Sequence, residues 1–198
     1  KAHAGNGFVD QPRSYLFSEP AVLRANDNGF DAILQFNARV STLIDMGHNV
    51  DKIELLILGG TWCSYPKQYQ DRFITELYYA ANIYHDYKTL EEIPREMLSL
   101  EEEQQINEKS SLRVIGLTIE TRPDYLDPND YDKNFSGDRF QIIRFYRQLG
   151  VTRVQIGVQH TNDKILKYVR RNCTNAQNKE GIRILKQNGF KTDIHLML

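Results

Sequence analysis

The run Ile53-Glu54-Leu55-Leu56-Ile57-Leu58 leads straight into two adjacent glycines, Gly59-Gly60, then Thr61-Trp62 and a helical pattern. Five of its six residues are apolar and they do not alternate with polar ones. Such a run reads as a strand buried on both faces of a parallel sheet, not as the half-wet edge of an antiparallel one. Glycines at the end of a strand carry no side chain, so another molecule can approach the backbone closely. In α/β folds, ligands gather at the carboxyl ends of the strands. The first expectation is therefore a parallel α/β protein with a binding site beside Gly59 and Gly60.

The rest of the chain supports that class. A helical period begins at Phe30 and places Phe30, Ile33, Asn37, Val40 and Ile44 on one face, ahead of Gly47. Tyr69, Phe73, Leu77, Ala80 and Tyr84 recur at the same spacing. Further apolar strand patterns lie at Val114–Ile119, Arg153–Val158 and Thr192–Leu198. Helical patterns at 138–149 and 162–188 separate them, closed by Gly150 and Gly189 as C-terminal caps. Strand and helix thus alternate, as right-handed crossovers in a parallel sheet require. Three stretches stand apart: an irregular segment 1–29, a charged segment 86–111 that reads as a surface insertion, and a loop through 125–137. The acidic run Glu101-Glu102-Glu103 reads as a solvated helix face. Four strands are too few for a closed barrel, which takes about eight. The expectation is one domain over 1–198, a partial (β/α) barrel truncated at both ends.

Composition excludes some functions and leaves others open. The 198 residues carry 25 basic and 26 acidic side chains, for a formal charge of −1, so no overall field draws the chain to nucleic acid or membrane. No apolar run approaches the length of a membrane span, and no signal-peptide pattern opens the chain. Cys63 and Cys173 are the two cysteines, far apart in sequence, which points to a reducing, cytoplasmic setting and buried thiols rather than a disulfide.

Five motifs in this order resemble a known family: Asp51-Lys52-Ile53-Glu54, Gly59-Gly60-Thr61, Glu120-Thr121-Arg122-Pro123-Asp124, Gln155-Ile156-Gly157-Val158-Gln159 and Asp193-Ile194-His195-Leu196-Met197. Together they are similar to the radical S-adenosylmethionine (SAM) domain of the catalytic Elongator subunit family, from about Gln11 to Leu198. The resemblance implies the radical SAM portion of an enzyme that carboxymethylates C5 of the wobble uridine (U34) of tRNA, with SAM, a [4Fe–4S] cluster and acetyl-CoA. It implies an anticodon loop as the substrate, an acetyltransferase domain in the parent protein, and other Elongator subunits as partners.

The resemblance also assigns roles. Gly59, Gly60 and Thr61 match the motif whose backbone receives the SAM amino group, and Glu120 the acid facing the cofactor. Gln159 matches a glutamine near the ribose, and Arg171 an arginine twelve positions further on. Lys52 matches a lysine assigned to acetyl-CoA. His195 falls where some relatives place an Asp, and joins the cofactor-facing set. A zwitterion needs acceptors for its ammonium and donors for its carboxylate, which these residue types supply. Arg13, Lys67, Arg72 and the basic stretch Lys164–Arg171 are candidates for tRNA phosphates, and Tyr15 and Trp62 for stacking on splayed bases.

The family holds its cluster by three clustered cysteines before the segment Gln11-Pro12-Arg13-Ser14-Tyr15, and this chain has none there. Cys63 and Cys173 cannot form such a set, so no metal ligand is assigned here. The chain is expected to be an incomplete piece of an active parent. The alternatives are a cluster-free tRNA-binding pseudo-enzyme module and a radical SAM enzyme with another substrate, the latter disfavoured by Lys52.

Overall fold

The computed structural model describes residues 15–16, 18–59, 61–88, 95–126, 139–171 and 173–197. Gly60, Arg13 and most of the loop expected at 125–137 lie outside the described residues. In chain order the elements are α1 (Pro20–Asp27), α2 (Ala32–Asp45), β1 (Lys52–Ile57), α3 (Lys67–Lys88), α4 (Leu100–Asn107) and β2 (Arg113–Thr121). Then come α5 (Arg139–Gln148), β3 (Arg153–Gln159), α6 (Asp163–Tyr168), α7 (Asn175–Gln187) and β4 (Lys191–Leu196), with 3-10 turns at Trp62–Ser64 and Pro123–Leu126. The strands form one sheet in the order β1–β2–β3–β4. β3 runs parallel to both β2 and β4, so the expected α/β class with parallel strands is present.

Two compact units divide the chain: Lys1–Leu55 with Gln68–Ile115, and Leu56–Lys67 with Gly116–Leu198. In the first unit the segment 1–29, expected to be irregular, contains α1, which starts on a proline at its first turn. Asp31 caps α2, its carboxylate accepting the Leu34 N–H at 2.8 Å. Ala32, Phe36 and Val40 form the buried face of α2, rotated from the expected one, and Phe36 meets Tyr84 of α3 edge-on at 6.4 Å.

The acidic run of α4 needs a correction. Glu103 is not solvated but fully buried, at 0 % exposure. Its carboxylate accepts two bonds from Arg95, both 2.7 Å, one from the Leu98 N–H at 2.9 Å and one from Asn82 Nδ2 at 2.8 Å. A carboxylate with this many donors is compensated for leaving water. Asn107, also buried, accepts the Val114 N–H at 2.8 Å and donates to the Leu112 carbonyl and to Asn82, which fixes α4 at the start of β2.

In the second unit Leu117, Ile119, Val154 and Ile156 of the sheet pack into a core with Ile142, Tyr146 and Leu149 of the α5 region and Ile184 and Leu185 of α7. β2 is buried continuously from Gly116 to Thr121, as a central parallel strand demands, while β3 buries Val154, Ile156 and Val158 alternately. A Cβ on Gly181 would touch Ile156 Cδ1 at 3.4 Å, so α7 lies close on β3. Gly150 and Gly189 adopt the left-handed conformation, with φ of 83° and 77°, that reverses the chain after α5 and α7.

β1 departs from the expectation of burial on both faces. Ile57 is buried, but Leu56 is 49 % and Leu58 40 % exposed, and β1 stands at the end of the sheet order. An apolar run records what a strand favours having against it, not what is packed there.

Candidate functional site

The second unit brings most of the motif residues to the carboxyl ends of the strands. β2 ends in Glu120 and Thr121, which are 7 % and 2 % exposed. The Gly59 N–H donates to Glu120 Oε2 at 3.3 Å, so the glycine turn after β1 is fastened to the acid of its neighbour strand. A Cβ added at Gly59 meets nothing within 4 Å. The chain's own packing does not demand glycine there, which agrees with close approach by a ligand.

The turn after Gly59 is built from its own hydrogen bonds. The Thr61 N–H donates to the Gly59 carbonyl at 3.2 Å, and Ser64 Oγ donates to the Thr61 carbonyl at 2.6 Å. Cys63, 1 % exposed, points inward: its Sγ lies 2.8 Å from Thr121 Oγ1 and in a short contact with the Tyr146 hydroxyl. This buried thiol–hydroxyl cluster joins the turn, β2 and α5, three stretches that only folding brings together. Trp62 is 4 % exposed and packs against Tyr65 at 5.7 Å, which corrects its expected role as a stacking surface for a base.

β3 ends in an unusual way. Gln159 has φ of 67°, a left-handed conformation costly for a residue with a side chain. The pairing shifts between Gly157 and Gln159 as Gly157 faces His195 and Gln159 faces Leu196 on β4. Arg171, returning after α6, donates from Nη2 to the Gly157 carbonyl at 2.6 Å, and its Nε is buried without a hydrogen-bond partner among the described residues. Burial, helped by the nearby Arg122 charge, pulls the Arg171 pKa below its ordinary value, so the guanidinium favours an anion beside it. Arg122 itself is held by Asp124 at 2.5 Å and lies over the Tyr125 ring.

Asn178 was missed by the sequence reading. It is 1 % exposed and its Nδ2 donates to the carbonyls of Val158 and His160 at 3.5 and 3.3 Å, which supports the irregular end of β3 from α7. His195 sits on β4 with its side chain exposed. Lys52 opens β1, is exposed, and belongs to the first unit. Gly60 lies outside the described residues. The structure thus gathers Gly59, Thr61, Glu120, Gln159 and Arg171 at strand ends of one unit, with His195 on its last strand, and Lys52 belongs to the other unit.

These groups fit a zwitterionic cofactor such as SAM. A buried carboxylate suits an ammonium, and the Arg171 Nε, which has no hydrogen-bond partner among the described residues, suits a carboxylate. They do not fit an iron–sulfur cluster, which takes three or four thiolates. The chain has two cysteines, both buried, and no group of three or more His, Cys, Asp or Glu side chains is placed to hold a metal among the described residues. No described helix is long and apolar enough to cross a membrane.

Comparison with known proteins places the chain in a family. The family model of the radical SAM superfamily matches residues 40–198. A tRNA uridine(34) acetyltransferase of Methanocaldococcus infernus is 38 % identical over 96 % of this chain and 31 % of its own length. One from Dehalococcoides mccartyi is 36 % identical, over 96 % of this chain and 36 % of its own. Elongator complex protein 3 of Homo sapiens is 31 % identical over 96 % of this chain and 30 % of its own. A solved structure of archaeal Methanocaldococcus infernus Elp3 with an N-terminal deletion (1–46) matches with a TM-score of 0.72 at 37 % identity, covering 87 % of this chain and 35 % of that one. The chain spans about a third of the length of these relatives. The superfamily implies SAM and a [4Fe–4S] cluster, and of the two the residues here suit SAM. With the family model matched over residues 40–198, the chain belongs to the radical SAM superfamily.

Proposed function

We propose that this chain is the radical SAM portion of an enzyme that modifies C5 of tRNA uridine 34 with SAM and acetyl-CoA as co-substrates. The names of its relatives support the substrate, and one observation carries the reading. A buried acid on β2, tied to the Gly59 turn, and a half-buried guanidinium tied to the end of β3 stand at neighbouring strand ends. Glu120 and strand-end carbonyls accept from the SAM ammonium, Arg171 donates to its carboxylate, and Gln159 and Thr61 border the nucleoside. Bound there, SAM supplies the sulfonium bond whose cleavage defines the superfamily. The chain's contribution is to bind, orient and exclude water. Lys52 is assigned to acetyl-CoA, and His195 to the rim of the cofactor site. An acetyltransferase domain of the same protein, other Elongator subunits and a tRNA anticodon loop are the proposed partners, in the cytoplasm.

The test is anaerobic reconstitution of the full protein with iron and sulfide. The expected result is a brown protein that cleaves SAM, and tRNA-stimulated acetyl-CoA hydrolysis that falls in Lys52→Ala. Activity unchanged by Lys52→Ala would remove the lysine from the scheme. The two buried cysteines favour a second reading, a cluster-free tRNA-binding module. A colourless reconstituted protein that binds tRNA would establish that second reading and overturn the first.

A further inference from the structure

Tyr168 is 88 % exposed, more than any other large apolar or aromatic side chain among the described residues. Val169 beside it is 57 % exposed. Lys164, Lys167 and Arg170, on the same short stretch, are exposed too. The one acid of α6, Asp163, is engaged elsewhere: its Oδ1 accepts the Asn175 N–H at 2.6 Å at the start of α7. The exposed surface of this turn is therefore cationic around a projecting aromatic ring.

Its placement matters as much as its composition. The chain leaves the site at Gln159, makes α6, and comes back at Arg171, whose guanidinium holds the Gly157 carbonyl. Both feet of the excursion stand on the carboxyl end of β3, and Tyr168 is near its tip. The return is made by the Arg171 N–H donating to the Leu166 carbonyl at 2.8 Å, with Arg170 in the left-handed conformation at φ of 55°. The same turn closes α2, α5 and α7, where Gly47, Gly150 and Gly189 occupy that position. Among the described residues α6 puts a charged side chain, Arg170, where α2, α5 and α7 have glycine. Strained backbone kept at the edge of a site is a reason to look for a function of the side chain.

We infer that Tyr168 is a stacking platform for an unpaired base of the RNA substrate, with Lys164, Lys167 and Arg170 taking phosphates on either side of it. This rests on the reading of tRNA as substrate. An aromatic ring accepts the face of any base, and flanking cations follow a polyanionic strand, so ring and charge together fit single-stranded RNA. The excursion then sets a splayed loop against the mouth that holds the cofactor.

Fluorescence anisotropy of a labelled tRNA anticodon stem-loop, titrated with the full protein at several salt concentrations, tests the inference. Tyr168→Ala is expected to weaken binding roughly 5- to 150-fold with the salt slope unchanged. Tyr168→Trp is expected to bind like the wild type, because the ring stacks and the hydroxyl does not. Arg170→Gln is expected to reduce the salt slope by about one unit. SAM affinity and thermal midpoint stay as they are in all three variants. Wild-type binding that Tyr168→Ala leaves intact would overturn the platform alone. No binding by the wild type would overturn the tRNA reading and the platform with it. Loss of affinity for phosphatidylserine vesicles in Tyr168→Ala, with RNA binding intact, would assign the surface to membrane instead.

Discussion

The Arg171 guanidinium donates to the Gly157 carbonyl across 2.6 Å. The same glycine is the place where a side chain would dislodge it. A Cβ at position 157 would stand 2.7 Å from Arg171 Nη2 and 3.1 Å from Gln159 Nε2. Both atoms end flexible side chains, so the fold can yield while the site cannot. Gly157→Ala is expected to leave the thermal midpoint within a few degrees of wild type and to weaken SAM about tenfold or more, the worth of one charged hydrogen bond. Titration calorimetry reads the affinity. An unchanged value would show that this guanidinium and amide do not touch the cofactor.

Glu120 accepts the Gly59 N–H, and the ammonium role proposed for it can be separated from that bond. Gln in its place keeps an acceptor for the Gly59 N–H but loses the charge for an ammonium. Glu120→Gln is expected to weaken SAM and S-adenosylhomocysteine alike, by about tenfold. Methylthioadenosine, which lacks the amino acid portion, is expected to bind both proteins equally. Equal weakening of all three ligands would mean that the acid organises the turn and does not meet the ammonium.

Acid stability is expected to depend on Glu103. Burial by itself raises this carboxyl, but the bonds from Arg95, Leu98 and Asn82 outweigh it and hold it below its ordinary 4.5. A carboxyl that is lower in the folded chain contributes stability in full above the ordinary value, and loses it as pH falls through the lowered one. Denaturant midpoints are therefore expected to decline from about pH 4.5 downward. Glu103→Gln is expected to cost about 1–3 kcal/mol at neutral pH and to flatten the acid decline. A decline as steep as the wild type's would place the responsible group elsewhere.

Neither thiol is expected to behave as a reactive or metal-binding group. Cys63 and Cys173 are 1 % and 6 % exposed, and burial pushes the Cys173 thiol up. In native buffer near neutral pH both are expected to resist a thiol-specific disulfide reagent, and both to react at once on denaturation. Tyr146→Phe, which removes a hydroxyl from Cys63, is expected to speed native labelling of that residue alone. Rapid labelling of the wild type would contradict the buried cluster.

Strand identity was legible because period and punctuation coincide: Val154, Ile156 and Val158 alternate, and Gly150 and Gly189 stop the helices before them and after them. Strand-end residues were legible through motifs, since Glu120 and Gln159 occupy positions the chain reaches whatever packs around them. Other features were not, because they depend on partners distant in sequence. Glu103 reads as solvated in its own helix, and only Arg95 and Asn82 make its burial tolerable. Leu56 reads as buried, yet its exposure depends on what is packed against the sheet. The helix α1 is short, and none of its eight residues is buried. Cys63, Thr121 and Tyr146 form a cluster that only folding brings together.

Val158 stands between two paired residues of β3 without a counterpart of its own, since Gly157 pairs with His195 and Gln159 with Leu196. On a regular strand, positions two apart look the same way, whereas consecutive ones look opposite ways. The single added residue therefore breaks the parity that β4 would inherit from β3. Below the break, Arg153 and Asp193 clasp at 2.8 Å and lock the phase of the two strands. Above it, the tip of the last strand is released from that phase. The Met197 N–H still donates to the Gln159 carbonyl at 2.8 Å, so the tip of the last strand follows the left-handed end of β3 in a shifted phase, and a substitution at His195 falls on the step where that phase changes.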